Sequence, residues 1–90
     1  MPRSPDTQRA LGEVIFERRN ELDLSQEDVA LAAGSTQGRI SHIEAGHNPS
    51  FGLARRIARA LGWSSVELMR RLEERELEKG PGGGSSPPDG

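Results

Sequence analysis

The sequence centres on two short helical patterns, LSQEDVA at residues 24–30 and ISHIEAG at residues 40–46, with Gly34 between them. The first pattern opens with an N-terminal cap, because the Ser25 hydroxyl can accept a hydrogen bond from the backbone N–H of Asp28. Apolar residues then recur at helical spacing up to Gly34, and glycine is the residue type that best tolerates the left-handed conformation at a helix C-terminus. Two helices joined by a tight glycine turn are therefore predicted.

The second pattern predicts a helix with one buried and one exposed side. Thr36 is its predicted cap, Ile40 and Ile43 supply its buried side, and Gly46 stops it. A helix, a glycine turn and a second capped helix form the signature of a helix-turn-helix, whose second helix enters the DNA major groove. The pattern thus indicates double-stranded DNA as the partner.

Other short segments extend the pattern on both sides. In order they are Leu11-Gly12-Glu13, Ile15, Leu22, Leu24-Ser25-Gln26-Glu27, Gly34, Ile40-Ser41, Ile43-Glu44-Ala45-Gly46, Asn48-Pro49-Ser50, Ile57-Ala58-Arg59-Ala60-Leu61-Gly62 and Glu67-Leu68. Through their joint order and spacing, residues 10–72 resemble a Cro/lambda-repressor-type (XRE-like) DNA-binding domain. The resemblance implies an all-α, five-helix lambda-repressor-like fold, with helices 2 and 3 as the helix-turn-helix.

Composition predicts one small domain with two flanking segments. Residues 1–6 are expected to form a flexible arm, residues 7–79 the helix-turn-helix domain, and residues 80–90 (GPGGGSSPPDG) a disordered tail. The tail is compatible with a natural linker, a truncation point or a cloning remnant. The chain has no cysteine and no apolar run of membrane-spanning length, which together fit the cytoplasm.

The net charge of −2 is unusual for a DNA-binding protein, because such proteins derive much of their affinity from neutralising phosphates. The distribution of charge is more favourable. Residues 10–34 carry six acidic residues against two arginines, a net charge of −4, whereas residues 35–63 carry four arginines against Glu44, a net charge of +3. The half that would contact DNA is basic, and we expect a lone monomer to bind weakly.

Helical periodicity predicts five helices and no strands. The expected ranges are 7–22 with Asp6 as the cap, 26–33, 37–45, a fourth helix that Ser50 caps and Gly62 ends, and a fifth from the Ser64 capping box to about residue 79.

Each helix has a predicted inward face. Helix 1 should bury Leu11, Ile15 and Leu22, and one of Val14 and Phe16 should be partly exposed. The corresponding stripe of helix 4 is Phe51, Ala54, Ile57, Ala58 and Leu61, and that of helix 5 is Val66, Met69 and Leu72.

The exposed arc of helix 3 supplies the main candidates for DNA contact. At about 100° per residue, the residues on this arc are Gln37, Gly38, Ser41, His42 and Ala45. Gln37 is the main base-reading candidate, because a glutamine amide can donate to adenine N7 and accept from N6. Gly38 either lets the protein backbone approach DNA closely or is a neutral substitution at a tolerant position. His42 is either a donor to guanine or phosphate, or a solvated side chain.

Further candidates flank this arc. Arg39 could reach a phosphate or form a surface salt bridge with Glu27 or Asp28, and Asn48 could bind a phosphate or cap its loop. A cluster on helix 4, Arg55, Arg56 and Arg59, either contacts phosphates or is a solvated face. The predicted DNA-contacting set is Gln26, Thr36, Gln37, Gly38, Arg39, Ser41, His42 and Asn48.

The resemblance assigns structural roles to three residues. Gln26 matches the first glutamine of helix 2 in the resembled family, where it braces the glutamine that opens helix 3. Glu44 lies beside the core isoleucines by helical phase, and the resembled repressors pair an arginine and a glutamate at the positions of Arg19 and Glu44. We therefore expect an Arg19–Glu44 ion pair that joins helices 1 and 3 and reads no base.

Helix 5 is predicted to continue beyond the length that the resembled domain needs. Opposite charges at three- and four-residue spacing would support it as an exposed helix. Leu68, Leu72 and Leu77, with Met69, form a thin apolar edge that predicts a homodimer interface, the alternative being a solvated terminal helix. Trp63 fits either the core beneath helix 5 or an interface anchor.

The expected function is that of a sequence-specific DNA-binding transcriptional regulator of repressor/Cro type, acting as a dimer. The alternative is a protein-interaction module, such as the antitoxin of a toxin–antitoxin pair or an adaptor, which the net acidity and the charged helix 5 favour. We do not expect the protein to be an enzyme, because the chain has no cysteine, no tyrosine and no plausible set of a histidine, an acid and a nucleophile. We expect no cofactor and no small-molecule ligand. A metal site is not expected either, since His42 and His47 have no acidic cluster at ligand spacing.

Overall fold

A computed structural model of the chain describes residues 5–78, which form five helices. They are α1 (Pro5–Glu21), α2 (Gln26–Ala33), α3 (Gln37–Glu44), α4 (Phe51–Ala60) and α5 (Ser65–Glu78). No strand occurs within these residues, and the predicted all-α, five-helix fold is confirmed. None of the five helices is long and apolar enough to cross a membrane. The predicted tail, Lys79 and the first four residues of the predicted arm lie outside the described residues.

The ends of two helices differ from their predicted positions. Helix α1 begins at Pro5, so Asp6 lies inside the helix and the prediction that it is the N-cap was wrong. The same helix ends at Glu21 because Asp23 adopts a left-handed conformation, with φ 60°. Helix α3 ends at Glu44, and Ala45 is its C-cap.

The core lies between all five helices. Its buried apolar residues are Ala10, Leu11, Val14, Ile15, Val29, Ala30, Ala33, Ile40, Ile43, Leu53, Ile57, Ala58, Leu61, Leu68 and Leu72. Val14 is buried and Phe16 is exposed, which resolves the alternative on helix 1. Leu22 was wrongly placed in the core: it is 38% exposed, since it lies past the end of α1 where the helical phase no longer applies. Phe51 is also exposed, and Leu53 takes the expected place of Phe51 in the core.

Helix α5 is rotated relative to the prediction. Leu68 and Leu72 are only 3% and 4% exposed and belong to the core of the monomer, so the expectation that they lie on an unpartnered edge and form a dimer interface was wrong. Val66 and Met69 are exposed, as is Leu77. The buried positions follow from the packing of α5 against α1 and α4, which presents Leu68 and Leu72 to those helices.

Charged side chains fasten α5 to α1. Arg75 forms ion pairs with Glu13, at 3.1 Å, and with Glu17. At the start of α1, the Thr7 hydroxyl donates to the Glu76 carboxylate at 2.6 Å. The carboxylates around Arg75 hold its pKa above its ordinary value, chiefly through the hydrogen bond to Glu17. The C-terminal half of α5 is therefore docked on the domain rather than free in solvent.

Trp63 lies between these two helices in a partly buried position against the core. The guanidinium groups of Arg18 and Arg71 lie over its ring, with their central carbons 5.0 Å and 5.3 Å from the centroid. Cations held over an indole face are stabilised by the ring quadrupole. Trp63 thus closes the edge of the monomer core beneath α5.

Helices α1 and α3 approach each other closely at Gly12. A Cβ atom at this position would lie 2.7 Å from the carbonyl oxygens of both Ile43 and Glu44. Only glycine fits such a contact without a backbone shift. The C-terminal end of α3 is consequently held against α1, which fixes the orientation of α3.

Candidate nucleic-acid interface

Helices α2 and α3 meet through the capped glycine turn that the sequence predicts. The Ser25 hydroxyl accepts from the Asp28 N–H at 2.9 Å, and the Asp28 carboxylate accepts from the Ser25 N–H at 2.9 Å. These bonds hold the pKa of Asp28 below its ordinary value, chiefly through the Ser25 backbone N–H. Gly34 has φ 67°, the left-handed conformation expected of it, and the Thr36 hydroxyl caps α3 by accepting from the Arg39 N–H at 3.2 Å.

The predicted ion pair between Arg19 and Glu44 is present and bidentate. Arg19 Nε donates to Glu44 Oε2 at 2.7 Å, and Arg19 Nη2 donates to Glu44 Oε1 at 3.0 Å. The side chains are 11% and 7% exposed, and Arg19 Nη1 also donates to the Leu24 carbonyl at 2.9 Å. The hydrogen bond to Glu44 raises the pKa of Arg19. This pair joins α1, α3 and the loop before α2 at one point.

The two glutamines expected to interact also do so. Gln37 Nε2 donates to Gln26 Oε1 at 2.8 Å. Gln26 Nε2 in turn donates to Glu44 Oε1 at 3.0 Å, a contact that the sequence analysis did not foresee. Helical phase placed Glu44 beside the core isoleucines but gave no distance from Glu44 to another helix. The result is a continuous chain of hydrogen bonds from Arg19 through Glu44 and Gln26 to Gln37.

The other predicted contact residues are nearly all exposed. Gln26 is half-buried, and the exposed residues are Thr36, Gln37, Gly38, Arg39, Ser41, His42 and Asn48. A Cβ atom at Gly38 would meet nothing within 4 Å, so the free protein imposes no need for glycine there. Within residues 5–78, Arg39 forms no ion pair with Glu27 or Asp28, the alternative considered for it.

His42 has an unforeseen partner in His47. Their rings stack with centroids 3.7 Å apart and an interplanar angle of 7°. Helical phase could not predict this contact, because His47 follows Gly46, where the helix has ended. The stack covers one face of the His42 ring and leaves its nitrogen atoms at the ring edge. No cluster of three potential metal ligands occurs in the part of the chain that the structure describes.

The arginines of α4 have different environments. Arg56 Nε donates to the Ala33 carbonyl at 2.8 Å, and this bond satisfies an acceptor at the C-terminus of α2. Arg55 and Arg59 are exposed. Arg56 therefore has a structural role in the helix-turn-helix, whereas the other two remain available to a polyanion.

Comparison with known proteins agrees with this geometry. A helix-turn-helix family model matches residues 15–68, which include α2, α3 and α4 completely. An "Uncharacterized HTH-type transcriptional regulator" of Methanothermobacter thermautotrophicus is 45% identical over 62 residues, covering 68% of this chain and 90% of that protein. The partly buried ion pair, the glutamine pair and the glycine turn lie within the region of the family match. The chain belongs to the XRE-type helix-turn-helix family.

Proposed function

We propose that this protein is a sequence-specific DNA-binding transcriptional regulator of repressor/Cro type that reads the major groove with α3 as a homodimer. The observation that carries the proposal is the exposed polar face of α3, which begins at Gln37 and is joined to α1 and α2 by hydrogen bonds through Gln26 and Glu44. The relative described as an HTH-type transcriptional regulator supports the same function. A side chain that hydrogen bonds already hold in position loses less conformational entropy on binding, which favours base reading by Gln37.

The contacts divide into two classes. We assign base reading to Gln37, with Ser41 and His42 further along the same face of α3. We assign phosphate contacts to Arg39 and Asn48 at the edges of that face, where they would fix the register of α3 in the groove. Of the other predicted residues, Thr36 and Gly38 let the start of α3 approach the DNA backbone, and Gln26 supports Gln37.

A gel-shift titration on the promoter upstream of the protein's own gene tests this function. At two salt concentrations, the account predicts retention that is selective for sequence and weaker at high salt, because phosphate contacts release counterions. The same titration with a random duplex of equal length is the control. Absence of a shift, together with co-purification of a protein partner, would favour the antitoxin or adaptor alternative.

The alternative function loses part of its support in the fold. The charges of α5 favoured an interaction module, but Arg70 and Arg71 pair with Glu67 inside the helix, and Arg75 pairs with α1. These three side chains are therefore already paired within the domain.

Replacement of Gln37 by alanine should weaken binding to the preferred site by about 1–3 kcal/mol and relax specificity at one base pair. Thermal stability should change little, because the Gln37 side chain is exposed and its bond to Gln26 lies at the surface. Fluorescence anisotropy with the preferred and the random duplex measures both affinities. Equal losses on the two duplexes would make Gln37 a phosphate contact and contradict its assignment.

The dimer part of the proposal now rests on the outer side of α5. Val66 and Leu77 lie about 20° apart around the helix, and Met69 lies about 60° to the other side of Val66, so the three exposed side chains form one outer stripe. Exposed Phe51 of α4 lines the same groove as Met69. Arg70 and Glu73 interrupt the stripe, and we therefore expect a weak dimer that DNA stabilises by binding two copies at half-sites about 34 Å apart.

Leu77→Glu should abolish cooperative binding while leaving the fold intact, since the side chain is exposed and outside the monomer core. Titration of a palindromic duplex, read by mass or sedimentation, gives the stoichiometry. Leu31→Glu on α2 is the matched control, because Leu31 is also exposed but lies on another helix. One protein per duplex in the unaltered chain, with the same affinity in Leu77→Glu, would exclude this dimer.

A further inference from the structure

We propose that Glu44 is a positioning residue that sets the base preference of Gln37: it orients the Gln26 amide, which in turn orients the Gln37 amide. Glu44 itself touches no DNA in this account. The inference rests on the proposed function, and it concerns how the base-reading amide is oriented rather than whether the protein binds DNA.

The Glu44 carboxylate determines which groups donate and which accept in this series of hydrogen bonds. A carboxylate has acceptors only, and those of Glu44 already receive Arg19 on both oxygens, at 2.7 Å and 3.0 Å. The third bond to Glu44 must therefore come from a donor. Gln26 supplies it by turning its Nε2 toward Glu44 Oε1 at 3.0 Å. Gln26 cannot reverse its amide without placing its own oxygen against the carboxylate.

The orientation of the Gln26 amide in turn determines that of the Gln37 amide. With its nitrogen committed to Glu44, Gln26 presents Oε1 to α3, and Gln37 Nε2 donates to that oxygen at 2.8 Å. Gln37 then keeps one N–H and its Oε1 for a ligand. One donor beside one acceptor matches adenine, whose N7 accepts and whose N6 donates in the major groove.

The opposite orientation would select a different base. If Gln37 accepted from position 26, its NH2 group would be the part presented to DNA, and two donors match the O6 and N7 acceptors of guanine. Glu44 disfavours that arrangement. Arg19 keeps Glu44 in place, because the guanidinium also donates to the Leu24 carbonyl at 2.9 Å and so ties the carboxylate to α1 and the loop.

The test selects binding sites from a library of randomised DNA duplexes. Selection with the unaltered protein gives the preferred site, and selection with Gln37→Ala identifies the base pair whose preference depends on Gln37. Gln26→Lys is the reversing variant, since a lysine can only donate, both to Glu44 and to Gln37 Oε1. At the Gln37-dependent base pair, we expect Gln26→Lys to shift the preference from adenine toward guanine, with the other positions unchanged.

Glu44→Gln is the second variant, because its amide can either donate to Gln26 or accept from it. We expect the preference for adenine over guanine at the same base pair to fall by roughly 5- to 100-fold, the range that one bidentate contact provides. Glu67→Gln is the matched control, since it removes a paired carboxylate on α5, and it should leave every preference unchanged. Thermal melts establish that each variant is folded.

The outcomes separate this inference from the proposed function. If Glu44→Gln does not fold, Gln26→Lys tests the inference instead, because it leaves the Arg19–Glu44 pair intact. A folded Glu44→Gln or a folded Gln26→Lys that keeps the full adenine preference overturns the inference while the DNA-binding function stands. Failure of the unaltered protein to enrich any sequence would overturn the proposed function and this inference with it.

Discussion

Replacing Ile40 with alanine is expected to lower the free energy of unfolding by about 2–5 kcal/mol, the range for large-to-small changes in a protein core. Ile40 is 0% exposed and lies on the buried side of α3, so truncation would leave a cavity between α3 and the helices that pack against it. The described domain is small, and a change of this size is a large fraction of the total stability of such a domain. Urea denaturation followed by circular dichroism measures the change.

Leu31→Ala is the matched control for Ile40→Ala. Leu31 lies on the adjacent helix α2 and is 83% exposed, so its truncation should change the unfolding free energy by no more than about 0.5 kcal/mol. DNA binding by Ile40→Ala should fall in proportion to the unfolded fraction. A fully folded Ile40→Ala with unchanged stability would mean that the rotational phase of α3 is wrong, and with it the assignment of the exposed face.

The second large effect is expected from Glu44→Ala, which should destabilise the protein by about 3–5 kcal/mol. The change removes the partner of an arginine that is only 11% exposed, and leaves its guanidinium desolvated without a counter-charge. It also removes the acceptor for Gln26 Nε2. Urea denaturation at neutral pH measures the loss.

An exposed ion pair provides the control for Glu44→Ala. Glu21 pairs with Arg18 at 3.3 Å but is 66% exposed, and Glu21→Ala should cost no more than about 1 kcal/mol. In the double variant Arg19→Met/Glu44→Leu, much of the stability should return, because neither charge is then buried alone. If Glu44→Ala and Glu21→Ala had equal effects, the Arg19–Glu44 pair would have no special structural role.

Local chemistry made much of the helix-turn-helix predictable. Ser25, Gly34 and Thr36 each determine a helix end through a hydrogen bond or a backbone conformation within three residues, and all three have their predicted roles. The Arg19–Glu44 pair was predictable for a different reason: helical phase placed Glu44 beside the core, and the family resemblance supplied its partner.

The sequence was less informative where a contact depends on how helices meet. The apolar residues of α5 permit two phases, one that buries Val66 and Met69 and another that buries Leu68 and Leu72. Only the positions of α1 and α4 select the second. The contacts between Gln26 and Glu44 and between the two histidine rings likewise depend on tertiary geometry or on a loop past the helix end.

Chemical-shift mapping shows whether the exposed face of α3 contacts DNA. The 15N-labelled protein is titrated with a duplex from the promoter of its own gene, and backbone and glutamine side-chain amides are followed. We expect the largest shifts at residues 36–42 and at the side-chain amides of Gln26 and Gln37, with little change in α5 outside the stripe of Val66, Met69 and Leu77. Shifts confined to α1 and α5, with the amides of α3 unaffected, would contradict this expectation.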